Sequence, residues 1–353
     1  MISGSLEIYG YARLNAAYNF DQEAGSANEG YFEDVAENPE NIDGVFQASA
    51  SQSRIGFLTN TKTAYGNLET RFEGDFWSYN NSDTRLRLRH AYGELNNVLA
   101  GQTWSNYNSF VGFTPTLDFY GPAGSMGYGT RVPQLRYTVG NLSIAGEDPR
   151  SQLASNLDEA RPSDDDRISS LPALSVRYEE NSEPFSYSIA GIARQLKYDT
   201  GPSDDTAMGY AGFLAGAYKV GLLTLRGIVH ATEGANSYLY DSGSSFNGAD
   251  AFVTDSGELE TLSGVGGSVG ASYQITPKYA VNVSYGITDV DGEDDEGVVG
   301  NANRKNQNAF LNVMWTPIDE VMYGVEYGYF KTDVVNKDEV DASRLMVSAQ
   351  YNF

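Results

Sequence analysis

The sequence predicts an all-β protein of one domain over residues 1–353: a closed, 16-stranded antiparallel transmembrane β-barrel whose third long loop, about residues 104–131, folds inward. Three observations predict it. Apolar and polar residues alternate with a period of two from end to end. Short and long connections follow each other in turn. Acidic residues gather in the long connections, whereas arginines stay in the strands.

Length and composition narrow the class. Soluble domains of ~150 residues would make a chain of 353 residues at least a pair, but a transmembrane barrel grows as one unit from strands of ~9–11 residues. The 38 Gly and 25 Tyr suit tight turns and interfacial aromatic belts, and only 20% of residues are charged. A mean hydropathy of -0.40 and the lack of any run of 18 apolar residues exclude a helical membrane protein. The absence of cysteine excludes disulfides, thiolate metal sites and cysteine nucleophiles. A net charge of -24 argues against nucleic acid as a partner. Met1 and Ile2 run straight into a strand, so any signal peptide is expected to have been removed, and localisation follows from the fold.

The first strand places Leu6, Ile8, Ala12, Leu14 and Ala16 on one face and Glu7, Tyr9, Tyr11, Arg13 and Asn15 on the other. Similar alternation follows near 48–59, 66–77, 85–94, 97–104, 132–139, 141–147, 172–179 and 185–196. It continues near 209–219, 221–230, 263–275, 279–288, 307–316 and 321–330. In the last strand, Leu345, Val347, Ala349, Tyr351 and Phe353 alternate with Arg344, Met346, Ser348, Gln350 and Asn352. The even strand number is that of a bacterial barrel. Turn chemistry marks the short connections at 60–65, 96, 140–141, 181–184, 220–221, 276–278 and 317–320. Long connections lie at 21–44, 78–84, 104–131, 148–170, 197–208, 231–262, 289–305 and 331–342. Sorting of short turns to one rim and long loops to the other is expected of a barrel in a membrane and has no cause in a soluble sandwich.

The long connections that begin at residues 21, 147, 197, 231, 289 and 331 hold 34 of the 47 acids, so the outer rim should be strongly negative. A charge on the lipid face costs roughly 2–4 kcal/mol at the midplane, so the strand arginines should face the lumen. Arg85, Arg87 and Arg89 occupy alternate positions and should form a guanidinium column able to grip carboxylates with paired hydrogen bonds. The competing reading is neutralisation by Glu69, Glu73 and Asp75 on the preceding strand. Arg13, Arg54, Arg131 and Arg136 are further candidates for the pore lining. Loop 104–131 holds a single acid, Asp118, among many small and aromatic residues. Such a loop should fold into the lumen, where Asp118 faces the arginines or anchors the loop.

Tyr9, Tyr11, Tyr92 and Tyr137 fit interfacial belts better than sugar stacking. The acids between Asp289 and Glu296 do not reproduce a calcium loop and should be solvated. His90 and His230 have no second ligand or nucleophile near them in sequence. Neither a metal, a cofactor nor an enzymatic activity is therefore expected.

Glu73-Gly74-Asp75-Phe76, Leu88-Arg89-His90-Ala91-Tyr92-Gly93, Gly101-Gln102-Thr103-Trp104-Ser105, Leu117-Asp118-Phe119 with Gly121-Pro122, and Pro133-Gln134-Leu135-Arg136-Tyr137-Thr138 resemble DcaP-type outer-membrane porins. Asn312-Val313-Met314-Trp315-Thr316-Pro317 and the terminal strand ending in Phe are similar as well. The resemblance implies a 16-stranded homotrimer in the bacterial outer membrane, in contact with lipid and lipopolysaccharide, that passes small organic anions including dicarboxylates. Such proteins can carry an N-terminal coiled-coil extension, whereas here the first strand starts almost at Met1. The alternatives are a weakly selective or cation-preferring porin governed by its acidic rim, and a soluble acidic β-rich surface protein.

Overall fold

Period-two alternation separates an oily outside from a buried inside, which is polar along the first strand and apolar where Ala190, Ile192, Phe213 and Ile228 are covered. In β1 (Gly4–Asn19), Leu6, Ile8 and Leu14 are exposed on the outer surface while Arg13, Asn15 and Asn19 are buried on the inner one. The computed structural model describes residues 4–20, 22–37, 44–77, 85–149, 153–155, 169–199, 204–243, 247–254, 256–291, 293–294, 297–298, 303–334 and 339–353.

Strand β2 has two parts, Val45–Ser49 and Arg54–Thr63, both paired with β1. The wall continues through β3 (Gly66–Asp75), β4 (Arg87–Leu95), β5 (Val98–Trp104), β6 (Arg131–Val139), β7 (Leu142–Glu147), β8 (Ala173–Glu180) and β9 (Phe185–Asp199). It is completed by β10 (Asp204–Val220), β11 (Leu223–Glu233), β12 (Ser263–Thr276), β13 (Tyr279–Val290), β14 (Asn303–Ile318), β15 (Val321–Val334) and β16 (Val340–Asn352). Each strand runs antiparallel to the next, and β16 returns to β1 from Tyr11 opposite Asn352 to Asn19 opposite Arg344. The result is a closed 16-stranded antiparallel barrel, in which no backbone edge has to face lipid over that register. At the short-turn end, Tyr279, Trp315, Tyr323 and Tyr351 form a continuous row of rings across β13 to β16, as expected of an interfacial belt.

Two expectations change. Strands β9 and β10 continue to Asp199 and Asp204, and β15 and β16 run from or to Val334 and Val340, so acids assigned to loops partly stand on strand ends. Above the membrane a strand can carry acids on both faces, which erases the alternation that marks it. The loops at 20–44 (L1) and 234–262 (L6) also turn inward: Glu29, Asp241 and Asp250 are buried rather than on the rim. The 78–84 connection lies outside the described residues, as do Asp295 and Glu296 of the acidic run.

Loop L3 (105–130) folds into the lumen and is fastened at its start and at its tip. Glu147 on β7 accepts from Ser105 Oγ (2.6 Å), the Asn106 amide (2.9 Å) and Ser175 Oγ (2.5 Å). At the tip, Glu326 on β15 accepts from the amides of Leu117 (2.8 Å) and Asp118 (2.7 Å), while Arg13 Nη2 donates to the Leu117 carbonyl (2.6 Å). Asn308 on β14 holds the Ala123 amide and the Gly121 carbonyl. Glycines provide the seat. A Cβ on Gly286 would lie 2.4 Å from Ala123 N and O, and one on Gly270 2.2 Å from Thr114 Oγ1. Asp118 joins L3 to L1 by accepting from the amides of Gly30 (2.7 Å), Tyr120 (2.9 Å) and Gly121 (3.0 Å). Arg194 and Asp250, both fully buried and 3.0 Å apart, pin L6 to the wall.

Glu29, in L1, accepts from Trp77 Nε1 (2.7 Å) and from Ser26 Oγ. Burial pushes its carboxyl up to about 7, with Asp118 adding to the rise and Ser26, Trp77 and Arg344 opposing it. Because the folded value exceeds the unfolded one, this contribution is fully present below pH ~4.5 and is lost as pH rises through about 7, a difference on the order of 3 kcal/mol. Single-channel current noise is therefore expected to increase between pH 5 and pH 8 as L1 loosens, and Glu29→Gln should flatten that dependence. On the wall, Leu135→Arg places a cation on the lipid face and should destabilise the barrel by about 2–4 kcal/mol in urea titrations of vesicle-folded protein.

Candidate functional site

Beneath L3 the lumen narrows to a cavity of about 450 Å³. One side is cationic: Arg13, Arg54, Arg71, Arg89 and Arg131 line it with Glu73, and Asp118 is the other lining carboxylate. The opposite side is the loop, with Phe110, Phe113, Phe119, Tyr120 and Met126. Arg13, Arg54, Arg71 and Arg89 come from inward positions of β1 to β4, which run next to one another around the wall, and Arg131 from the seam between L3 and β6.

The adjacent arginines on β4 owe their arrangement to a bulge. Glu73 stands opposite His90 and Gly74 opposite Leu88, so Arg89 is the extra residue, and both Arg89 and His90 are buried on the inside. Arg89 donates to Glu73 Oε1 and Asp75 Oδ2, each at 2.8 Å. Arg87 grips Asp75 through Nε (2.9 Å) and Nη2 (2.7 Å) and stacks on Trp77 at 4.5 Å. Arg85 precedes β4, is exposed, and does not line the cavity. Glu73 and Asp75 thus hold Arg87 and Arg89 in a tight mixed-charge cluster.

Arg54 Nε lies 3.3 Å from Glu73, and its guanidinium sits over the Tyr11 ring. Arg71 donates to Tyr9 OH (2.6 Å), which in turn donates to Glu73 Oε2 (2.9 Å). Tyr9, Tyr11 and Tyr92 consequently pack against lumen arginines or acids, contrary to the belt expectation; only Tyr137 of the four is largely exposed on the outer face. Alternation had placed Tyr9 and Tyr11 on the polar side of β1 from the start, and the belt tendency does not override the face. Arg131 differs from the others. It lies flat on Trp104, 3.5 Å from the ring centre, and its Nε and Nη2 have no hydrogen-bond partner among the described residues.

Arg136 lies elsewhere. It lines a second cavity of about 370 Å³, nearer the short turns, with Arg177 and Glu179. Arg13 and Asp118 touch the main cavity while anchoring L3. Residues not singled out in the sequence also line it: Arg71, which alternates with Glu69 and Glu73 on the inner face of β3, and Gln52, Trp104 and Tyr240. Burial pushes the Tyr120 and Tyr240 phenols up, so both remain neutral hydroxyls, and Tyr240 OH donates to the Tyr120 carbonyl (2.9 Å). The arrangement can orient and desolvate an anion, and in its lining His90 Nδ1 and Thr103 Oγ1 share a hydrogen bond of 2.9 Å.

A search of curated proteins finds no match. Among solved structures, the chain is similar to the outer membrane channel DcaP of Acinetobacter baumannii, with TM-score 0.84 and 27% identity over 99% of this chain and 98% of that one. The anion-selective porin of Comamonas acidovorans (TM-score 0.60, 15% identity, 99% and 100% covered) shares the fold. So does Salmonella typhi OmpF in complex with daunomycin (0.63, 14%, 100% of both). The family model described as DcaP outer membrane protein matches residues 3–353. The soluble alternative is thereby overturned: this is an outer-membrane porin channel, and not an enzyme, because the chain belongs to the DcaP outer membrane protein family.

Proposed function

We propose that the channel passes small organic anions, dicarboxylates among them, by passive diffusion, with the arginine side of the constriction as its filter. The observation that carries this reading is the charge imbalance of the lining, five arginines against two carboxylates, with Arg131 in no ion pair among the described residues. The low-dielectric aromatic side strengthens the field across the gap. A permeant carboxylate exchanges part of its hydration for guanidinium contacts, and passage requires those contacts to remain weak. Of the candidate residues, Arg131 does most of the attracting, joined by Arg54, which shares Glu73 with Arg89 at the longer distance of 3.3 Å, whereas Arg87 and Arg89, tied to Asp75 and Glu73, hold the wall. Arg13 and Asp118 keep L3 in place. Family membership supports the reading, as does the likeness to a porin described as anion-selective. We also infer a homotrimer: OmpT of Vibrio cholerae, which shares the fold (TM-score 0.59, 13% identity), is known in a trimer form.

The test is the zero-current potential of reconstituted protein under a KCl gradient, with chloride then replaced by succinate. An anion-selective sign is expected, and Arg54→Gln with Arg131→Gln should shift it toward cations by several-fold in permeability ratio. A cation-selective wild type, or a double variant with unchanged potential, would overturn the filter and transfer control to the acidic rim.

A further inference from the structure

The main cavity and the one nearer the short turns share three lining residues, Thr103, Trp104 and Phe110. Trp104 and Phe110 meet edge to face, with ring centres 5.1 Å apart, so an aromatic pair stands between two polar chambers. The lower chamber is built for an anion. Arg136 and Arg177 face it together with Glu179, Asn108, Ser109 and Asn181. Glu179 is occupied: Ser109 Oγ donates to it at 2.8 Å, and Arg177 Nε lies 3.8 Å away. Arg177 also donates to the Asn108 carbonyl, which fixes the start of L3. Arg136 has no ion pair or hydrogen bond among the described residues, so its charge is left for a guest.

We infer that this chamber is a second anion site, for small carboxylates, and that permeant anions pass from Arg131 to Arg136 across the Trp104–Phe110 pair. The inference rests on the filter reading above. Arg131 and Arg136 stand five positions apart on β6, roughly 16 Å along the strand. That span exceeds a single contact, so an anion leaving the first site is free of it before it is held by the second. The rings carry no counter-charge, and an anion crossing them has no partner in which to settle. Two weak sites with an apolar step between them favour flux, because an ion arriving at the first repels the one at the second. The site also makes the two mouths unequal: a carboxylate from the short-turn side meets Arg136 first, and one from the loop side meets Arg131 first.

The experiment uses succinate as the probe, added to one side of a bilayer holding oriented channels in KCl, with chloride current read as a function of succinate concentration. For the native protein, block from the short-turn side should show its own concentration dependence. Arg136→Gln removes no ion-pair partner from any carboxylate among the described residues and should weaken that block roughly tenfold, the worth of one charge-assisted hydrogen bond, while block from the loop side changes far less. Arg131→Gln should do the reverse. Arg136→Lys, which retains the charge, should restore most of the short-turn block and so separate charge from a change of shape. If Arg136→Gln leaves short-turn block intact while Arg131→Gln abolishes block from both sides, there is one site and the inference fails while the filter stands. If neither variant alters block or selectivity, the filter reading fails with it.

Discussion

Every backbone donor and acceptor within hydrocarbon has to be satisfied by the chain itself, and the rest of this structure depends on that constraint. A sheet meets it only by closing, which β16 does on β1 through nine successive residue pairs from Tyr11–Asn352 to Asn19–Arg344. Closure imposes an inside and an outside, and the pleat then assigns each residue to one of them by parity alone. Arginines at inward parity are forced into the lumen by the cost of lipid before any functional demand acts. The filter we propose would thus be partly a consequence of where charge can be stored in a membrane wall.

The lumen of a barrel of this size would be open without L3, which is held both by an apolar cluster, Tyr107, Val111 and Tyr128 against Ile192, Phe213 and Ile228, and by buried polar groups. Glu147, Glu326 and Asp118 accept six bonds from backbone amides and a seventh and eighth from Ser105 and Ser175 hydroxyls. Oriented backbone amides suit this task, since carboxylates with several such donors tolerate burial that an isolated charge would not. The wall facing the loop is correspondingly bare: Gly270, Gly286 and Gly324 bring strand backbone against Thr114, Ala123 and Leu117. Carboxylate clamps on one side and glycine seats on the other define the loop path.

Parity made the strands, the short turns and most of the lumen arginines legible in the sequence. So did the odd composition of L3, whose aromatic and small residues cannot serve a charged rim. What was not legible came from contacts between distant segments. That Glu29 and Asp241 are buried depends on L1 and L6 packing against L3, and nothing in an isolated acidic loop marks which acids will be covered. The bulge at Arg89 is equally hidden, because one extra residue shifts partners without changing composition. Sequence spacing joins Arg85, Arg87 and Arg89 in a column; the structure has Asp75 gripping Arg87, Asp75 and Glu73 sharing Arg89, and Arg85 outside the strand. Arg131, at the seam between loop and strand, has no parity to read.

An arginine can be immobilised in two ways, and they differ in what remains for a solute. A carboxylate partner fixes the guanidinium and cancels its charge, as Asp75 does for Arg87. A ring beneath it fixes the plane by a weaker cation–π attraction, about 0.5–2 kcal/mol, and supplies no counter-charge. Trp104 beneath Arg131 is of the second kind, while Arg54 combines both, lying over Tyr11 and 3.3 Å from Glu73. A channel needs fixed cations that stay hungry enough to draw anions in and are not buried so deeply in partners that none respond. Stacking meets both needs at once for Arg131, which Trp104 holds in place without cancelling its charge.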